Sequence, residues 1–347
     1  MQPLNLPDDE QLPRPANSAR HLFFVALRLL AGIAILVYLA KSGIISLAAL
    51  SKLILAWPIT IAAIAVFFID IFLMAVRTSL LFRPFGMRLT ILKSVELTLV
   101  SLFFSTFLPG AGGGDLVKLY YATKENAGRR AEVATILMFD RSIGFFAMLI
   151  LPLFFVPMFL PLLQSVPVLR TILIFVAALS AAMLAAFLLF AFSVRLRDFL
   201  ARRSMPFPRW RNLAARVLEI VRSLARNPGT LLAALLLSVF ANLSVIVITV
   251  FAVLILDPHS LSSRMCLVIP IGHVVNALPL TPGGLGVGET ALNALFELTG
   301  LHGGAETLLF WRVWKAIVGL LGLFIYIRGM GSIALGSKQT EPRRMAT

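Results

Sequence analysis

Cysteine is almost absent from this chain of 347 residues, and charged residues are scarce. The one cysteine, Cys266, has no partner within the chain, which excludes an internal disulfide framework and a metal site built on several cysteines. Charged residues make up only 14% of the chain and apolar residues 59%, whereas soluble domains have about 25% charged residues. Together with a mean hydropathy of +0.93, this composition predicts a protein of the lipid bilayer.

The sequence also lacks the motifs of common enzymes. Its four histidines form no His-Glu-x-x-His zinc motif, and no Gly-x-Ser-x-Gly nucleophile motif occurs. The glycine-rich run at 110–115 follows no predicted strand and lacks the Gly-Lys-Ser/Thr of a phosphate-binding loop. These absences argue against nucleotide binding and hydrolysis, and we expect no cofactor and no metal.

Long apolar segments dominate the chain. Six of them reach the roughly 18 residues that a helix needs to cross a bilayer. Strands of a membrane β-barrel would instead show short segments of alternating polarity. We therefore predict an all-α integral membrane protein with about six crossings, which lie at 22–40, 58–82, 133–163, 168–194, 230–256 and 306–334.

Positive charge is concentrated in one segment. Nine arginines lie between positions 195 and 226, against Asp198 and Glu219, and the whole chain has a net charge of +15. In a chain this apolar, the positive-inside rule and anionic lipids explain the charge better than nucleic acid, which we do not expect as a partner. The segment is thus predicted to be cytoplasmic, as are both chain termini. Residues 210–224 are either an amphipathic helix on the inner leaflet or an ordinary basic loop.

Two apolar segments are interrupted by proline and glycine. Residues 94–123 contain the break Leu-Pro-Gly-Ala-Gly-Gly-Gly at 108–114, and basic residues flank both ends, as in a re-entrant hairpin from the cytoplasm. Residues 265–299 contain the second break, at 278–289, and few basic residues flank it. We therefore predict that the second hairpin enters from the outer face.

The order of segments repeats. Each half has two crossings, a broken hairpin with an acid after its break, and a crossing that carries an arginine; Asp115 precedes Arg141 by 26 residues, and Glu289 precedes Arg312 by 23. Paired broken segments in two halves of opposite orientation are typical of transporters, whose site lies between them. The predicted divisions are a polar tail at 1–20, a first half at 21–165, a second half at 166–335 with a basic linker at 195–229, and a cytoplasmic tail at 336–347.

Candidate site residues follow from the cost of burying charge, about 2.5–3.5 kcal/mol for an ionisable residue at the middle of the membrane. Asp115 and Glu289 are either caps of the helices that follow the breaks or coupling sites for a proton or cation. Asp140 is a third possible coupling residue. Arg141 and Arg312 either clamp a lipid phosphate or form internal ion pairs with one of these acids. The glycines predicted to line the binding site are Gly112, Gly113, Gly114, Gly283, Gly284 and Gly286.

Other polar residues within apolar segments favour structural roles. Asp70 and Arg77 lie seven residues apart on one face of a predicted helix, and we expect them to pair. His273, Asn276 and Asn242 are expected to form hydrogen bonds between helices, with a functional role as the alternative.

The run at 108–115, the Asp140-Arg141 pair and the run Leu-Thr-Pro-Gly-Gly-Leu-Gly-Val-Gly-Glu at 280–289 resemble a known family. This is the lysylphosphatidylglycerol synthase transmembrane-domain family, also described as flippase-like, and the resemblance covers roughly positions 20–335. Its members include the flippase part of bacterial multiple peptide resistance factors and membrane proteins of hopanoid or glycolipid pathways. In the resistance factors a soluble domain performs aminoacyl transfer; because this chain ends soon after its last crossing, the synthase activity is not expected.

The resemblance implies lipid handling in the bacterial cytoplasmic membrane. Our leading hypothesis is a transporter or flippase for a phospholipid, aminoacyl-phospholipid, hopanoid or glycolipid, with membrane lipids of anionic or zwitterionic head group as partners. Two alternatives stay open: a membrane-embedded transferase in lipid or lipid-linked glycan synthesis, and a non-catalytic partner of lipid-synthesis enzymes.

Overall fold

The computed structural model of the chain describes most residues from position 51 to 336. The described residues are 51–52, 54–87, 89–107, 113–126, 128–192, 208–278, 284 and 286–336, with side chains undescribed at 208–216 and 329–336. They contain no strand. The helices are α1 (Trp57–Phe82), α2 (Ile91–Phe107), α3 (Gly113–Glu125), α4 (Arg130–Phe155), α5 (Leu160–Ser165), α6 (Pro167–Phe192), α7 (Pro208–Ala225), α8 (Pro228–Leu256), α9 (Met265–Ala277), α10 (Val287–Leu298) and α11 (Gly304–Gly336).

Five of the predicted crossings are confirmed as helices long and apolar enough to span a membrane. Large apolar side chains such as Phe72 and Phe175 are exposed on them, as expected for contact with lipid. The sixth predicted crossing, at 22–40, and the two chain tails lie outside the described residues. The five spans are Trp57–Phe85, Arg130–Ser165, Pro167–Phe192, Pro228–Leu256 and Gly304–Arg328.

Proline marks where several of these helices begin. Helices α6, α7 and α8 each start at a proline, and α1 has Pro58 in its first turn. A proline costs nothing there, because the first N–H groups of a helix have no partner within it and the fixed φ of proline is already helical. The sequence thus sets the start of these helices locally.

The order and the packing of the helices follow the predicted repeat. In the first half α1 is followed by the α2–α3 pair and then α4; in the second, α8 is followed by the α9–α10 pair and then α11. Helices α1 and α8 pack against each other. The first helix of each pair packs on the last crossing of the other half, α2 on α11 and α9 on α4. This exchange supports an internal repeat whose halves meet along α1 and α8.

The two broken segments form two-helix hairpins. Helix α2 has 17 residues and α3 has 13, and they pack against each other. Helices α9 and α10, with 13 and 12 residues, do the same. None of the four reaches the roughly 20 residues of a full crossing, as a re-entrant pair requires. The membrane face that each hairpin enters stays a prediction.

The basic linker contains a helix that packs on the bundle. Helix α7 spans residues 210–224, so the helix, one of the two predicted alternatives for this segment, is confirmed. Its residues Ile220 and Leu224 are buried in one cluster with Phe82 and Ile136 of the crossings α1 and α4. The apolar face of α7 therefore packs on α1 and α4.

Candidate functional site

Each half contains an equivalent ion pair. Asp115, the third residue of α3, pairs with Arg141 of α4. Glu289, the third residue of α10, pairs with Arg312 of α11, with Nε of the arginine 2.6 Å from the carboxylate. In both halves the acid after the break thus meets the arginine of the following crossing. The internal ion pair, one of the two alternatives for these arginines, is present in both halves.

A glycine precedes each acid and allows the two helices of the hairpin to approach closely. A Cβ on Gly114 would overlap the carbonyl oxygen of Ser101 in α2. A Cβ on Gly288 would lie 2.5 Å from Oδ1 of Asn276 in α9. A side chain at either position would push the second helix of the pair away and, with it, the acid.

The ion pair in the second half is closed, meaning that it is largely shielded from solvent. The side chains of Arg312 and Glu289 are only 12% and 18% exposed. Nη2 of Arg312 donates to Oδ1 of Asn276 at 2.7 Å and to the carbonyl of Gly284 at 2.9 Å. Glu289 accepts a hydrogen bond from the N–H of Gly286 at 2.9 Å and so also caps α10. Arg312 therefore fastens both the break and the start of the following helix to α11.

The glycines of the second break adopt conformations that other residues avoid. Gly284 and Gly286 have φ of +71° and +79°, in the left-handed region. This turn presents the Gly284 carbonyl to Arg312, so the break itself is part of the site. Gly113 begins α3 in the first half. Gly112 and Gly283 lie outside the described residues.

The pair in the first half is open. The side chains of Arg141 and Asp115 are 56% and 51% exposed. An exposed pair is held weakly, by roughly 0–1 kcal/mol, because water competes for both charges. The same chemical pair is thus accessible in one half and enclosed in the other.

Asp140 corrects one prediction. Arg77 pairs with Asp140 of α4 and not with Asp70 on its own helix: Nε and Nη2 of Arg77 lie 2.8 and 3.2 Å from the two carboxylate oxygens. The bidentate geometry between facing helices is better than any that two side chains on one helix, two turns apart, can reach. Thr78 also donates to Asp140, at 3.2 Å, and Ser238 of α8 accepts from Arg77 at 2.9 Å.

Lys118 joins this buried cluster from the first hairpin. Its Nζ lies 3.7 Å from the Asp140 carboxylate and donates to Thr78 at 3.0 Å. Lys118 is one turn after Asp115, so two neighbouring side chains of α3 dock the hairpin on α4. Sequence reasoning missed Lys118, although its i+3 spacing from Asp115 was a usable signal. Asn276 belongs to the site in the second half, because its side chain accepts a hydrogen bond from Arg312.

A second group of buried polar side chains lies where α1, α8, α9 and α11 meet. His273 of α9 shares a hydrogen bond with Thr249 of α8, 3.1 Å from Nε2 to Oγ1, and its ring lies edge-on to Trp311 at 4.9 Å. Nζ of Lys315 lies 5.2 Å from the centre of the Trp311 ring. Asp70 of α1 is buried and lies in the electric fields of Arg77 and Lys315. Neither Asp70 nor Lys315 was among the predicted site residues.

The arrangement suits binding of an anion better than binding of a metal. Arginine forks bind phosphate groups through two parallel hydrogen bonds, and one of the two forks is accessible. Within the part of the chain that the structure describes, no three side chains of His, Cys, Asp or Glu come together as metal ligands.

Comparison with known proteins agrees with the resemblance seen in the motifs. A family model described as the lysylphosphatidylglycerol synthase TM region matches residues 24–325. No curated protein and no solved structure matches the chain. The match covers both hairpins and both ion pairs.

Proposed function

We propose that this chain, which belongs to the family of lysylphosphatidylglycerol synthase transmembrane regions, moves a membrane lipid from one leaflet of the bilayer to the other. Family membership and the helical spans establish a multi-pass membrane protein of a lipid-related family. Lipid transport is the proposal, and the geometry of the site supports it.

One observation supports transport above the alternatives: equivalent ion pairs differ in exposure. Arg141 and Asp115 are more than half exposed, whereas Arg312 and Glu289 are less than a fifth exposed. A transporter built from two related halves exposes a central site to one side at a time, so its halves must differ in each state. A scaffold or a transferase needs no such difference between repeats.

The open pair is suited to a lipid head group. A phosphate can replace the Asp115 carboxylate on Arg141, since both ligands accept the same two hydrogen bonds from the guanidinium group. The N–H groups at the start of α3 lie on the same hairpin and favour negative charge. This chemistry selects an anionic or zwitterionic head group. Phospholipids, aminoacyl-phospholipids and phosphate-bearing glycolipids carry one.

The proposed setting is the bacterial cytoplasmic membrane, with both chain termini inside. The arginine-rich segment at 195–226 supports this orientation through the positive-inside rule. Partners would be the lipids themselves and the enzymes that make them.

The direct test is lipid translocation by the purified chain in liposomes. Fluorescent phosphatidylglycerol is placed in both leaflets, and its passage to the outer leaflet is followed by quenching with dithionite. We expect the wild type to speed this passage, and Arg141→Gln and Arg312→Gln to slow it about tenfold, the value of one lost charge-assisted hydrogen bond of about 1.4 kcal/mol.

Arg170→Gln is the matched control, because Arg170 is exposed at the start of α6 and lies in neither ion pair. It should translocate the probe at the wild-type rate. If the wild type moves no labelled lipid under any ion or pH gradient, the proposal of lipid transport is wrong. Formation of a new lipid product in the same liposomes would then favour the transferase.

A further inference from the structure

One buried carboxyl is left without a partner. Among the described residues, only Asp70 and Asp140 are acidic side chains less than a tenth exposed. Asp140 is neutralised by Arg77 and Lys118. Asp70 has no hydrogen bond and no ion pair to any described residue. The three acids predicted as possible coupling residues, Asp115, Asp140 and Glu289, each form an ion pair with an arginine.

Asp70 lies at the middle of its membrane span. It is the fourteenth residue of the 29-residue span Trp57–Phe85. Lys315 is the twelfth of the 25 residues of Gly304–Arg328. The two spans pack against each other. An acid and a base therefore each lie near the middle of neighbouring spans from different halves of the repeat.

Ring contacts place the two side chains on facing surfaces. The Phe67 ring of α1 lies 6.1 Å from the Trp311 ring of α11. Phe67 precedes Asp70 by about one turn, and Trp311 precedes Lys315 by about one turn. Asp70 lies in the electric field of Arg77 and, more weakly, of Lys315, and it forms a direct ion pair with neither. The ammonium group lies against Trp311 instead.

The other charged side chains in the interior of the surrounding helices are engaged in ion pairs, whereas Arg130, Glu306 and Arg328 are exposed at or near the ends of their spans. Helix α8, the main neighbour of α1, carries no charged residue. His273 of α9 shares its hydrogen bond with Thr249. Arg77 also acts on Asp70, but it is bound to Asp140, so Lys315 is the nearby cation that has no ion pair among the described residues. The engaged pairs are Arg77 with Asp140 on α4, Arg141 with Asp115, Arg312 with Glu289 on α11, and Lys93 with Glu96 on α2.

A carboxylate at this depth is stable in only two ways. Ionised and unpaired, it costs several kcal/mol, so it must either hold a proton or have an ammonium group beside it. Both options are within reach of Asp70. A small relative movement of α1 and α11 changes the distance to Lys315 and so the preferred state.

We infer that Asp70 is a proton-binding site that couples proton movement to the transport cycle. The carboxylate takes up one proton from water on one side of the membrane, which gives the neutral acid. It returns that proton to water on the other side when Lys315 moves close and stabilises the carboxylate. The coupling rests on the proposed transport function, whereas the proton site itself does not.

Infrared difference spectroscopy tests the proton site without any lipid substrate. The purified full chain is compared in acidic and alkaline buffer. We expect the high-frequency carbonyl band of a carboxylic acid in apolar surroundings, and its loss in Asp70→Asn. Asp257→Asn, the same change at a half-buried position directly after α8, should keep the band. A band that persists unchanged in Asp70→Asn would overturn the assignment.

Transport tests the coupling. In liposomes with a pH gradient, the wild type should move the fluorescent lipid faster than without one, and so should Asp257→Asn. Asp70→Asn, which keeps the size of the side chain, should lose this stimulation. If it still responds to the gradient, or if wild-type transport ignores the gradient, the coupling is wrong while lipid transport stands. If the wild type moves no lipid, the proposed function fails, and the infrared result alone decides the proton site.

Discussion

Three arginines in the interior of α1, α4 and α11 each hold a carboxylate. Arg77, Arg141 and Arg312 reach across to a neighbouring helix for it. A charge inside a bilayer is tolerated when a partner and further hydrogen bonds replace water. At the residue scale these pairs differ in one respect that matters for stability, which is how much water reaches them.

Asp140→Asn should destabilise the protein by about 3–5 kcal/mol, because it leaves the buried Arg77 and Lys118 without a counter-charge. The free energy of unfolding in detergent, measured with a denaturant, is the readout. Asp115→Asn is the matched control. Its pair with Arg141 is exposed, so the same change should cost about 0–1 kcal/mol. Equal losses for the two variants would contradict the burial of the Asp140 cluster.

At the scale of elements, each hairpin depends on a glycine contact. Gly114 packs on Ser101, and Gly288 packs on Asn276, at the residue before each site acid. The contact fixes the second helix of the hairpin on the first, and the ion pair then fixes it on the following crossing. The packing of each hairpin therefore sets the position of the acid in its ion pair.

Gly114→Ala and Gly288→Ala should therefore lower the midpoint of thermal unfolding in detergent. Alanine favours a helix over glycine by about 1 kcal/mol, so any loss of stability comes from the overlap of the added Cβ with the neighbouring helix. Gly229→Ala in α8 is the control, because a Cβ there meets nothing within 4 Å. It should be neutral or stabilising. Stability unchanged in all three variants would contradict the close approach.

At the scale of the whole molecule, contacts in one half have counterparts in the other. The α2–α11 and α9–α4 contacts link the halves reciprocally, and α1 packs on α8. Such an exchange lets both hairpins respond together when the halves move. The charge pattern adds the prediction that the hairpins enter from opposite membrane faces.

Labelling with a membrane-impermeant thiol reagent tests this orientation in intact membranes. In a Cys266→Ser background, single cysteines replace the exposed residues Leu116 of α3 and Thr290 of α10. We expect labelling of Leu116→Cys from the cytoplasmic side and of Thr290→Cys from the outer side. Glu219→Cys and Ser263→Cys mark the two faces. Labelling of both hairpins from the same face would exclude the inverted arrangement.

Much of the architecture was predictable because it depends on local properties. Five helical spans follow from apolar length, and the two hairpins follow from proline and glycine breaks. The sequence predicted two alternatives for Arg312, a lipid phosphate or an internal ion pair. The acid after each break and the arginine of the next crossing recur in both halves, which made Glu289 a candidate partner. The Asp70–Arg77 pair was wrong because one-dimensional spacing favours partners on the same helix.

The sequence by itself determined the membrane class, the family and the residues at which the hairpins break, because hydropathy and backbone preference act over a few residues. Only the tertiary structure decided which charges meet. The partner of Arg77 is 63 residues away, and Lys118 reaches the same acid from another helix. It also decided that the ion pair of one repeat is exposed and that of the other enclosed, and that Asp70 is buried without an ion pair. These depend on how whole helices pack, and helix packing follows from the fit of many side chains rather than from spacing in the chain.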